Sequence, residues 1–183
     1  MRHWLFLFLL VRTSGVLAQH PVLDSLKQRL TVLSLSDTNR VNTLQEIAVS
    51  QTLAGYDSLA RLSLDEAIRL ARRQHYRQGE IRARLFWVRI ESEYLSDTPR
   101  AEAHLDTAGR LAQALHDLSF QGQVLFRKAQ LYENTMNKIP EANRLLQGAL
   151  DLFRQARDAH WESLAYNEIA IMKMGEGKHA EAI

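Results

Sequence analysis

An alanine, a leucine four residues later and an alanine three after that occur three times in this chain: Ala60, Leu64, Ala67; Ala101, Leu105, Ala108; Ala142, Leu146, Ala149. The leading alanines recur at one fixed interval of forty-one positions, and forty beyond Ala142 stands Ala182. Spacing by four and then three traces one face of an α-helix. Small residues let two helix axes approach, and the bulky residue fills the groove between them. Sixteen residues before each leading alanine stands a large residue (Leu44, Leu85, Phe126, Tyr166), and thirteen before stand Ile47, Val88, Ala129 and Ile169. Each period therefore supplies two helices with an apolar face apiece. A buried Leu contributes roughly 1.5–3 kcal/mol, too little for one hairpin to offset its ordering entropy. Stacked neighbours supply the rest.

Boundary residues divide the chain in the same way. Ser36-Asp37-Thr38, Ser96-Asp97-Thr98 and Asp57-Ser58 offer helix N-caps. Gly55, Gly79, Gly122 and Gly177 are expected in or beside turns, and Pro99 and Pro140 suit the first turn of a helix. The pattern predicts a lead helix over about Val22–Leu33, then hairpins over about Thr38–Gln74, Glu80–Leu115 and Gln123–Arg157. A last helix is expected near Trp161–Met174. With only 3 Pro and 8 Gly in 183 residues, little interrupts helix. The expected fold class is all-α, an α-solenoid of stacked antiparallel hairpins with a period of about forty-one residues.

The first residues read as an address. Met1-Arg2-His3 is a short basic start, the run Trp4 to Val11 is apolar, and Val16-Leu17-Ala18 fits a peptidase site. Residues 1–18 are expected to form a signal peptide cleaved after Ala18, followed by the lead helix and linker over 19–37 and repeats over 38–183. The product is then periplasmic or extracytoplasmic, with no membrane insertion in the mature residues. Without Arg2 and Arg12, 21 basic residues face 21 acidic ones, so no global field draws the protein to nucleic acid or anionic lipid. The absence of Cys excludes disulfides, thiolate catalysis and Cys-ligated zinc.

From Val41 onward the chain resembles the tetratricopeptide repeat family. The most specific stretch is Ala165-Tyr166-Asn167-Glu168-Ile169-Ala170, leading to Gly177-Lys178-His179-Ala180-Glu181-Ala182-Ile183. The common repeat has about 34 residues, so the longer period here puts about two further helical turns into helices or loops. The family's small residue of the first helix is Ala48 and Ala170, but Arg89 and Gln130 in the middle repeats. Its tyrosine position holds Gln51, Ser92, Glu133 and Lys173. In the third repeat an alternative register aligns Leu125, Ala129 and Tyr132 instead. The leader, the lead helix Asp24-Ser25-Leu26-Lys27-Gln28-Arg29-Leu30 and Ser36-Asp37-Thr38-Asn39-Arg40-Val41 further resemble the start of bacterial signalling proteins. In those, extracytoplasmic repeats precede a membrane helix and a histidine kinase or DNA-binding output. The period predicts three complete repeats and a fourth that stops inside its second helix, as expected of a truncated gene product or a fragment.

The family's register implies a partner-binding face of Asn42, Gln45 and Val49, then Phe86, Ile90 and Glu93, then Leu164, Asn167 and Ile171. Its mixed apolar and amide character suits a helical or extended protein segment, while the Lys, Arg and Asn set of the family's carboxylate clamp has no match. Arg69, Arg72, Arg73, Arg77, Arg82, Arg84 and Arg89 fall close together with Glu80 the one acid among them. They form either a solvated face or an anionic docking patch centred on Arg82 and Arg89. His75, His116 and His160 are expected in successive linkers, spread along the array, and no His-x-x-x-His pair occurs. Glu91 and Glu93 lie on different faces of a helix, no serine sits in a nucleophile elbow, and Gly-rich phosphate loops are absent. The expectation is a non-catalytic protein-interaction module without metal or cofactor, serving as the sensor or assembly region of a membrane-bound signalling protein. The alternatives are a free-standing periplasmic scaffold and a hydrolase whose site follows no recognised motif.

Overall fold

The computed structural model describes residues 20–92 and 97–180, with side chains for 21–92 and 97–174. The expected leader, and the Ser96 of one expected cap, lie outside the described residues. Every described element is helical: α1 (His20–Val32), α2 (Thr38–Leu53), α3 (Asp57–Arg73), α4 (Arg77–Ile90), α5 (Thr98–Ala114), α6 (Leu118–Met136), α7 (Ile139–Ala156) and α8 (Ala159–Ala180). They divide between two compact units, Met1–Gln74 and His75–Ile183.

In the first unit α1 packs on α2, and α2 on α3. Asp37 caps α2 as expected, its side chain accepting from the Asn39 N–H at 2.8 Å. Two arginines fasten the lead helix. Arg40 Nη1 donates to the carbonyls of Leu30 (2.6 Å) and Leu33 (2.9 Å), satisfying the open C-terminal end of α1. Arg29 Nε donates to Thr43 Oγ1 at 3.0 Å, and its other end pairs with Glu46. Gly55, at φ 75°, turns the chain between α2 and α3 in the left-handed region that favours glycine. Tyr56 occupies the N-cap of α3, so Asp57 stands one residue inside the helix and not at its cap. Gln74 Nε2 closes the unit by donating to the Leu35 carbonyl at 2.7 Å.

In the second unit each helix packs on the next, and the alternate helices α4, α6 and α8 also touch in turn. Asp97 caps α5 by accepting from the Arg100 N–H, and Pro99 and Pro140 sit in first turns as expected. The extra length of the period becomes helix: α6 has 19 residues, α7 has 18, and only 137–138 and 157–158 separate them from their successors. His75, His116 and Arg157 each adopt a left-handed backbone, at φ 54°, 53° and 55°, and they recur at the same interval as the alanines. Asp117 and Asp158 follow as N-caps of α6 and α8, and Ser119 Oγ donates to Asp158 Oδ2 at 2.6 Å.

The triplets hold one register. Ala60, Ala101 and Ala142 are each the fourth residue of their helix, and all nine triplet residues are buried. Leu44, Leu85 and Phe126, with Ile47, Val88 and Ala129, are buried as well. Leu125 and Tyr132 only flank the core around Phe126 and Ala129, so the register of the alanine triplets carries through the third repeat. Tyr166 departs from the expected burial. It is 47% exposed, and its hydroxyl and ring are taken by Arg154 on α7.

Two helix starts and two glycines correct the sequence reading. α4 begins at Arg77 and α6 at Leu118, several residues before the expected starts at Glu80 and Gln123. Gly122 is therefore buried inside α6, where a Cβ would come within 2.5 Å of the Phe153 ring. Gly177 makes no turn: α8 runs unbroken through Ala180, since local i to i−4 bonding outweighs the roughly 1 kcal/mol disfavour of a helical glycine. Gly79, by contrast, lies in the first turn of α4 under the Tyr76 ring, beside a turn as expected.

Candidate interaction surfaces

The candidate residues of α2 stand beside the stripe that α1 covers. Arg29 reaches Thr43 and Glu46, whereas Asn42 and Gln45 are half-buried and Val49 is 41% exposed. One-turn spacing puts these three on a single face of α2. The lead helix thus covers one side of α2 and leaves the candidate face partly open.

The second unit treats its candidates unequally. Phe86 is half-buried beneath Arg89, whose guanidinium lies 5.1 Å from the ring centre. Ile90 is fully buried, on a helix that packs against both α5 and α6, and so is not open to a partner. Glu93 lies outside the described residues. On α8, Leu164 packs against the core, while Asn167 and Ile171 are exposed. The structure therefore brings Asn42, Gln45 and Val49 together, and Asn167 with Ile171.

Gln130 works through its side-chain amide. It accepts from Arg127 Nη1 at 2.6 Å and donates to Glu168 Oε1 at 2.9 Å, joining α6 to α8. Glu133 nearby has its carboxyl pushed above the usual range by burial and then by Glu168.

The arginine stretch does not act as one patch. Arg82 donates to the Tyr76 hydroxyl and lies 5.5 Å from that ring's centre, and Arg89 covers Phe86. Arg84 is half-buried and pairs with the buried Glu80, with Nη2 and Oε1 2.7 Å apart. Aromatic and ionic neighbours in the protein itself engage these three. On α3, Arg69 pairs with Glu66, and Arg72 and Arg73 are exposed. With Asp65 and Ile68 these three arginines line an open cleft of about 450 Å3.

A polar cluster between α4 and α5 was not foreseen. Trp87, fully buried, stacks on His104 with centroids 4.4 Å apart, and the Arg100 guanidinium lies 4.5 Å from the Trp87 ring centre. Arg84 Nη1 donates to His104 Nδ1 at 3.2 Å, and a guanidinium has only protons to give, so that nitrogen is unprotonated. Burial, then the charges of Arg84 and Arg100, push the imidazole down to about 4, with Asp97 opposing. Glu91 Oε2 accepts the Asp97 N–H at 2.9 Å and so holds the start of α5. Side chains from two successive helices meet here, and no local pattern announces them.

The histidines are distributed otherwise than expected. His75 and His116 do occupy inter-helix turns, but His160 lies in the first turn of α8, and Arg157 takes the third turn position. Among the described residues no three His, Asp or Glu side chains converge as a metal site requires. No helix of the described residues is long and apolar enough to cross a membrane.

No family model matches this chain. No curated protein matches it either.

Proposed function

We propose that the helix pairs are tetratricopeptide-type repeats of an α-solenoid, and that the chain is a non-catalytic module for binding protein segments. The observation that carries this reading is the coincidence of two independent recurrences of equal period. One is the buried alanine–leucine–alanine face of α3, α5 and α7; the other is the left-handed turn at His75, His116 and Arg157. Side-chain packing and backbone conformation recur in step, as one hairpin used repeatedly requires. The successive packing of α4, α6 and α8 adds to this within the second unit. The leader supports export, and the whole then suits the extracytoplasmic sensor or assembly region of a membrane-bound signalling protein of the histidine-kinase type.

Each unit is proposed to carry a binding face of its own, Asn42, Gln45 and Val49 on α2 in the first, Asn167 and Ile171 on α8 in the second. Exposed apolar groups supply contact there, and amides supply backbone recognition. A photo-crosslinking side chain placed singly at Val49, Asn167 and Ile171 tests it in the producing cell. Capture of one protein from these positions, and not from Arg110 or Arg144, supports the proposal. Equal capture from all five positions, or turnover of ester, peptide or glycoside substrates by the purified chain, overturns it.

A further inference from the structure

Arg69, Arg72 and Arg73 stand at i, i+3 and i+4 on one face of α3, over the Ile68 floor of the open cleft. Between Arg69 and Arg73 the helix rises only about 6 Å, so the three guanidiniums reach a common volume. Arg72 and Arg73 are exposed, and Glu66 holds Arg69 in place at one side. We propose that this cleft docks a short acidic segment of a partner protein, with Asp or Glu carboxylates seated against Arg72 and Arg73. The guanidinium fork matches a carboxylate with two parallel N–H donors, which a single ammonium cannot do. The described residues of this site lie on a single helix, so it does not depend on the repeat reading.

Charge on the same face selects the class of partner. Asp65 lines the cleft one turn before Arg69, and Glu66 adjoins it. A nucleic acid, uniformly anionic along its length, would run onto those carboxylates, whereas a short acidic segment need occupy only the last turn of α3. Beyond the leader, basic and acidic residues balance at 21 each, so no wider field favours a polyanion. The acidic segment is held by local complementarity alone.

The test uses the chain from residue 19, a fluorescein-labelled tetraglutamate peptide and an oligothymidylate of similar charge, compared by anisotropy at about 150 mM salt. Arg72→Gln with Arg73→Gln should weaken peptide binding at least fivefold. Arg110→Gln with Arg144→Gln, which removes the same charge from other exposed sites, should change it less than twofold. Arg72→Lys with Arg73→Lys, which preserves charge and loses the fork, should restore binding only in part. An equal loss from both glutamine pairs, no measurable peptide binding, or tighter binding of the oligothymidylate through the same arginines would each overturn the assignment.

Discussion

His75 and His116, forty-one residues apart, hold the same left-handed backbone to within one degree of φ. Neither is glycine, and a left-handed turn disfavours a residue with a Cβ by roughly 1–2 kcal/mol. His116→Gly should therefore leave stability unchanged or raise it by up to about 1 kcal/mol, its backbone entropy offsetting part of the relief. His116→Val should cost about 1–2 kcal/mol, because a branched Cβ fits that region worst. Thermal melts of the two variants check this, and His75 should respond alike.

Gly122 and Phe153 fix how closely α6 and α7 approach. A methyl at position 122 would stand 2.5 Å from the Phe153 ring, which is itself fully buried and cannot swing outward. Gly122→Ala should destabilise by roughly 1–3 kcal/mol despite alanine's better helix propensity. Gly109→Ala is the contrast, since its Cβ would meet only Val124 at 3.7 Å. That change should be neutral or stabilising in the same urea titration.

His104 makes stability depend on pH. Its imidazole is held down to about 4 in the folded chain, against 6.5 for the unperturbed group. Between those values the unfolded chain takes up a proton that the folded chain refuses. The stability is thus full above about pH 6.5 and falls, by up to about 3 kcal/mol, as the pH drops to about 4. His104→Gln should flatten that fall in denaturation curves taken across this window. An imidazole resonance titrating with its midpoint near 6.5 in the folded protein would contradict the buried arrangement.

Leu105 lies between Ala101 and Ala108 in the contact face of α5, with 2% of its surface exposed. Leu105→Asp should cost several kcal/mol, since it removes a packed side chain and buries a carboxylate without a partner. An unchanged melting temperature would show that this face does not pack as described.

The fold was legible where one helix carries its own signal. The alanine triplets, the Asp37 and Asp97 caps and the two early prolines act within a turn or two of their own position. Glycines misled, since Gly122 makes room for Phe153 on the next helix and reads in isolation as a breaker. Ile90 was placed on the partner face by family register, whereas it is fully buried, on a helix that packs against two others. The basic stretch looked continuous, but Tyr76, Phe86 and Glu80 had already engaged Arg82, Arg89 and Arg84. The His104 cluster depends on which face of α5 meets which face of α4, and that is set by packing between helices.

The chain has no cysteine, so single cysteines can report the period directly. Placed at Ala60, Ala101 and Ala142 they should resist thiol labelling in the native protein, because all three positions are fully buried. Placed two residues further on, at Leu62, Ala103 and Arg144, which are exposed and share the same interval, they should label at the rate of a free thiol. Fast labelling at any member of the first set in the folded protein, or protection of any member of the second, would contradict one hairpin repeated at a fixed period.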